Sequence, residues 1–241
     1  MLSNLKIKQQ TNNSENLIIH FTSEFNFLKS ILTSNSLKVC FSCEDFIFNG
    51  KYISKSAHPM ISFSEYNPDE INSKKITYGN YGIGFSKEWS RNNKIGPVFY
   101  VEQSSLAAKG LKELLAARRK TNNEKLPGKI RLAIMELKAF IKNERGFNSY
   151  NNQADFDFKS ENEWRFVPKK SQIDNYLISQ NQKTYLKNKK RHNKMLEKYP
   201  LKFNLSDVRI LYVSSDSEKD ELIRQFGIIK DKIYIAGWKK K

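Results

Sequence analysis

With 241 residues, 39% of them hydrophobic and 12% aromatic, the chain is long enough to bury a proper core and too apolar for a largely disordered protein. No apolar run approaches the roughly 18 residues of a membrane-spanning helix, and "MLSNLKIKQQTNNSEN" lacks the apolar stretch of a signal peptide, so a cytoplasmic protein with no membrane association is expected. The formal net charge of +17 favours polyanionic partners such as nucleic acid or a dinucleotide, although 33 Lys against 9 Arg beside abundant Asn and Ile also fits an AT-rich coding sequence.

In chain order, "LIIHFTSEFNFLKSILTSNSLKV" reads as a short strand over 17–21 and a helix over roughly 24–33, with Phe27, Leu28, Ile31 and Leu32 on one face and Thr22 or Ser23 as the cap. Cys40 and Cys43 in "KVCFSCEDF" are the only cysteines. His20, His58 and His192 are scattered without metal-ligand spacing, so no metal site is expected. Two short alternating segments, "PMISFSEY" and "YGIGFS", precede "GPVFYVE". A helical pair follows over 104–145, with Ala107, Leu111, Leu114 and Leu115 as one stripe, Ile130, Ile134, Leu137 and Ile141 as the other, and "KLPGK" as the turn. Between 109 and 145 it carries 11 basic residues against 4 acidic ones, so its outer face is positive.

"ENEWRFVP" reads as a strand stopped by Pro168, and "QKTYLKNKKRHNKMLEKYPLK" as a basic helix or loop. "VRILYVSSDSEKDELIRQFG" is a strand and a helix with a Ser215-x-x-Glu218 capping box and Gly227 past its end, and "DKIYIAGW" is a last strand. Short strands mostly without intervening helices predict a single α+β domain over 1–241.

Four patches carry residues of the kind an active site uses: His20-Phe21-Thr22, "ISFSEY" at 61–66, "YGNYGIGFSKEW" at 78–89, and Glu161-Asn162-Glu163-Trp164-Arg165. Strand alternation puts Glu161 and Glu163 on one face, and Glu163 with Arg165 can equally form a plain ion pair. Three glycines between 79 and 84 either let backbone approach a ligand between Tyr78 and Tyr81 or mark a bulged strand under a helix.

In this order, "IIHFTSEFNFLKSIL", "PMISFSEYN", "YGNYGIGFSKEW" with "GPVFYV", and "ENEWRFVP" resemble the AbiGi abortive phage-resistance family over about residues 17–170. The same segments are similar, more distantly, to ADP-ribosyltransferase-like folds. That resemblance implies a split antiparallel β-sheet core interrupted by the basic helical hairpin, and NAD as substrate. It implies His20 on the adenosine ribose with Thr22 nearby, an aromatic or serine on the second core strand (Ser64, Glu65, Tyr66 or Tyr81), stacking of nicotinamide on Tyr78 or Tyr81, Arg165 near the pyrophosphate, and Glu163 as the catalytic carboxylate. A carboxylate close to the ribose stabilises the positive charge that builds as the glycosidic bond breaks. The implied acceptor is nucleic acid or protein. The rival expectation is a non-catalytic antitoxin or nucleic-acid-binding partner of a cognate toxin, with the helical pair as docking surface; a metal-free nuclease using His20, Glu163 and Arg165 is a third.

Overall fold

The computed structural model describes residues 15–148 and 152–240, so most of the N-terminal stretch without a signal-peptide pattern lies outside the described residues. The chain runs β1 (Leu17–Thr22), α1 (Phe25–Ser34), β2 (Cys40–Phe48), β3 (Lys51–Tyr66), β4 (Tyr81–Phe85), α2 (Lys87–Asn92), β5 (Gly96–Pro97), β6 (Phe99–Val101), α3 (Leu106–Arg119), α4 (Gly128–Lys138) and β7 (Ile141–Asn143). It continues with β8 (Arg145–Asn148), β9 (Gln153–Asp157), β10 (Glu163–Phe166), β11 (Gln180–Asn181), α5 (Gln182–Lys187), α6 (Lys189–Leu196), β12 (Val208–Val213), α7 (Asp216–Phe226) and β13 (Ile233–Ile235). The fold is mixed α+β. Its main sheet has nine strands in the order β13-β12-β4-β1-β3-β10-β5, with β2 and β11 also paired to β3, and only β12 and β13 run parallel.

β3 is the spine. The alternating segment expected from residue 59 is the second half of a 16-residue strand beginning at Lys51. Its first half pairs with β2 and β11, its second with β1 and β10. A proline inside a strand is tolerated only where no ladder hydrogen bond is needed. Pro59 meets that condition: it faces Phe41, whose N–H and C=O are taken by Asn193 and Tyr185, and it falls between the stretches paired to β11 and β10.

Two cores sandwich the sheet. Ile18, Ile83, Phe85 and Leu211 pack with Leu28 and Leu32 of α1 and Leu222 of α7 on one face; Ile19, Tyr66, Ile210, Tyr212 and Trp238 form the other. Adjacent Ile18 and Ile19 are both fully buried, as a central strand requires. A third core, built on Phe46, Leu111, Leu115 and Ile134, seats the helical pair.

That pair crosses over between β6 and β7, which lie parallel to each other outside the main sheet. Its buried stripe is rotated from the expected one. Ala108, Leu111 and Leu115 of α3 and Ile134 and Met135 of α4 face inward, while Leu114, Ile130 and Leu137 are exposed. α1 is also not capped as expected. Thr22 ends β1 opposite Tyr81, and Glu24 holds the N-cap position without a side-chain bond; the C-cap Asn35 adopts the left-handed conformation. At α7 the Ser215 hydroxyl accepts from the Glu218 N–H and Gly227 closes the helix in the left-handed region as expected, but the Glu218 carboxylate accepts from the Ser214 N–H and the Tyr81 hydroxyl, so the capping box is only half formed.

The glycine cluster serves protein packing. A Cβ on Gly84 would lie 2.5 Å from Ile210 Cγ2, and one on Gly82 3.1 Å from Ile19 Cγ2 and 3.2 Å from Tyr212 Cδ2. These glycines admit the bulky side chains of neighbouring strands, and the ligand-approach reading is corrected accordingly.

Candidate functional site

A cleft of about 400 Å³ opens over β3, between the end of β1, strand β2, the β7–β8 segment and the turn entering β10. His20, Ser62, Ser64, Tyr78, Glu161 and Glu163 all line it. Strand register explains part of this convergence. β10 runs antiparallel to β3 with Glu163 opposite Ser64 and Arg165 opposite Ser62, so alternation places those four side chains on one face.

Glu163 is held by four donors. Arg165 donates from Nε to Oε1 at 2.8 Å and from Nη2 to Oε2 at 3.0 Å, Lys142 Nζ lies 3.0 Å from Oε2, and the Ser62 hydroxyl donates to Oε1 at 2.9 Å. Arg165, fully buried, also donates to Ala139 O at 2.7 Å and to Glu44 Oε1 at 2.7 Å. Glu161 accepts from the Tyr78 hydroxyl at 2.5 Å and from Lys142 at 3.1 Å. Although Glu161 belongs to a short 3₁₀ turn, its carboxylate still joins that of Glu163 at Lys142.

The electrostatics follow. Burial works against the Glu163 charge, but the Arg165 and Lys142 cations and their hydrogen bonds outweigh it, so its pKa falls well below the ordinary 4.5. Burial pushes Glu44 up, Arg165 pulls it back, and the neighbouring Glu163 and Glu161 add repulsion. Burial first, then the Glu161 carboxylate, drives the Tyr78 phenol far up, so it stays a neutral donor. His20 Nδ1 lies 2.9 Å from Ser62 O; a carbonyl only accepts, so Nδ1 carries the proton, and burial lowers the ring's pKa.

Because the Glu163 pKa is depressed on folding, its contribution to stability is complete above 4.5 and is lost as pH falls through the lower folded value. Urea midpoints are therefore expected to drop between pH 5 and 3, and the drop should be shallower in Glu163→Gln. Equal slopes in both proteins would remove Glu163 from the acid response.

The remaining expected residues stand elsewhere. Arg165 lies beneath the floor, aligning carboxylates instead of facing the cleft. Thr22 is outside the lining, with its carbonyl against Gly79. Tyr81 is on the opposite sheet face, its ring 5.8 Å from that of Phe25 and its hydroxyl on Glu218 at 2.9 Å. Sequence reasoning missed Glu44, Lys142, Tyr52 and Phe147. Tyr52 and Phe147 line the cleft while 54% and 57% exposed. Lys142 had been counted with the positive outer face of the helical pair, yet its side chain is only 13% exposed.

The lining carries Glu44, Asp45, Glu161 and Glu163 against Lys142 and Arg145, with Arg165 below, so this basic protein has a net-negative cleft. Aromatic walls over carboxylates suit a flat or cationic group bearing hydroxyls.

The molecule is thus an α+β protein with an acidic, aromatic-walled cleft built on one long strand. Residues 35–214 match the family described as "Putative abortive phage resistance protein AbiGi, antitoxin", and the chain belongs to that family, whose description places it in abortive phage defence. The matched stretch covers the cleft residues from β2 to β10 and leaves β1, with His20 and Thr22, outside. No curated protein and no solved structure matches. Among the described residues no helix is long and apolar enough to cross a membrane.

Proposed function

We propose that the cleft receives the nicotinamide-ribose end of NAD and that the chain transfers ADP-ribose to a macromolecular acceptor during phage defence, on an ADP-ribosyltransferase-like core. The net charge of +17 favours nucleic acid over protein as acceptor. The observation that carries this reading is the meeting of His20, Ser62, Tyr78 and Glu163, from four separated segments, in one cleft. A volume of about 400 Å³ and net-negative walls fit a flat cationic ring attached to a sugar.

In the reaction the bond from ribose C1′ to the nicotinamide nitrogen breaks, and nicotinamide leaves neutral with the bonding pair. A bond forms from C1′ to an acceptor oxygen or nitrogen, whose proton passes to solvent. Glu163, kept ionised by Arg165 and Lys142, stabilises the positive charge growing on the ribose and does not shuttle a proton. His20, Ser64 and Tyr78 position the substrate, and the exposed rings of Tyr52 and Phe147 cover its flat end.

The family description favours a second reading, in which the chain is a non-catalytic antitoxin that binds a cognate toxin. Nicotinamide release and label transfer from NAD, followed with nucleic acid and cell extract, separate the two. Wild type is expected to be active and Glu163→Gln to be slower by about 100-fold. If wild type releases no nicotinamide and transfers no label, the transferase reading fails, and co-purification with the toxin and suppression of its toxicity test the antitoxin.

A further inference from the structure

Away from the cleft, the helical pair gathers three arginines without acidic partners, while its Lys112 and Lys120 pair with Glu113 and Glu124. Arg118 and Arg119 close α3, Arg131 lies in the first turn of α4, and Lys138 ends α4. Among the described residues none of the three arginines makes an ion pair, and the Nε atoms of Arg118 and Arg131 are buried with no hydrogen-bond partner. Arg119 donates to Ile53 O at 2.7 Å, and Lys138 to the Ser56 hydroxyl at 2.5 Å. The crowding has an electrostatic signature. Burial and then repulsion from Arg131 and Arg119 lower the Arg118 pKa, and burial followed by Arg119 and Arg118 brings Lys138 down to about 8.

Like charges brought together on a folded surface repel, and a bound oxyanion removes that cost. A guanidinium fork matches phosphate oxygens better than an ammonium does. Arginine is scarce in this chain, 9 against 33 lysines, yet three of the nine meet here, flanked by exposed Lys125 and Lys129 and by Lys120, which pairs with Glu124. We propose that the α3–α4 connection is a docking surface for the phosphate backbone of nucleic acid, with Arg118 and Arg131 as its two phosphate-gripping residues. The further exposed cations Lys125 and Lys129 in the same connection exceed what one free phosphate needs and point to a phosphodiester chain. The inference concerns binding alone and stands whether or not the cleft transfers ADP-ribose.

The test is fluorescence anisotropy of a labelled 20-nucleotide oligonucleotide on the full chain at several salt concentrations. Arg118→Gln with Arg131→Gln should weaken binding about tenfold and make the slope of log affinity against log salt shallower by about 1.4, or about 0.7 per lost phosphate contact on a single strand. Lys125→Gln with Lys129→Gln, two exposed changes that spare packing, should weaken binding about threefold, so the proposal is testable even if the arginine pair fails to fold. Arg224→Gln with Lys230→Gln removes the same charge beside the β13 edge and should change affinity less than twofold. Loss of affinity in that control equal to the loss at the α3–α4 connection overturns the proposal. So does thermal stabilisation by inorganic phosphate with no oligonucleotide binding, or absence of binding at low salt.

Discussion

Replacing Arg165 by alanine is expected to lower the unfolding free energy by about 3–5 kcal/mol. Arg165 is fully buried and supplies two hydrogen bonds to Glu163, one to Glu44 and one to Ala139 O. Without it, Glu44 and Glu163 face each other with only Lys142 as a nearby compensating cation. An uncompensated buried charge costs more than the pair itself contributes, which is why removing one partner is severe. For a chain of this size the melting temperature should fall by about 10 °C. Arg165→Lys keeps the charge but replaces a planar fork by a point donor, and should recover only part of the loss. Urea unfolding of the three proteins decides; a loss below about 1 kcal/mol in the alanine variant would mean that water compensates the carboxylates.

Gly79→Ala should cost about 3 kcal/mol or more for a different reason. Gly79 has φ of +139°, a region that side chains avoid, and a Cβ there would lie 2.0 Å from Thr22 O and 2.8 Å from Ser23 Cα. Those are backbone atoms, so no rotamer relieves the clash, and the loop must move away from the end of β1. The shift would break the bond from Trp238 Nε1 to Gly79 O and displace Tyr78, whose hydroxyl sits on Glu161. Gly50→Ala is the control: φ is +72° with nothing within 4 Å of the added carbon, so only about 1 kcal/mol of backbone strain is expected. Similar losses in both variants would place the cost in backbone conformation alone.

Much of the local structure was readable. β1, α1, β10, β12 and α7 follow from hydrophobic period, and the start and end of α7 from Ser215 and Gly227. The first half of β3 was not, because its polar alternation and Pro59 resemble a loop until β2 and β11 are seen beside it. His20, Ser64, Tyr78 and Glu163 were singled out from the chain and line one cleft, while Tyr81, only three residues beyond Tyr78, lies on the other face. No local pattern announces Glu44 or Lys142, since each looks like an ordinary surface charge until Arg165 and Glu163 are brought against it.

By itself the sequence determined α1, the helical pair α3 and α4, α7, about half of the strands and the basic character of the helical pair, because periodicity, caps and charge are encoded within about a dozen neighbouring residues. Tertiary structure alone decided which charges are buried together, which glycines admit a neighbouring strand, and that a protein of net charge +17 carries an acidic cleft. Those properties depend on distances between segments more than a hundred residues apart, such as Ser62 and Glu163, and on how well the surrounding protein excludes water from them.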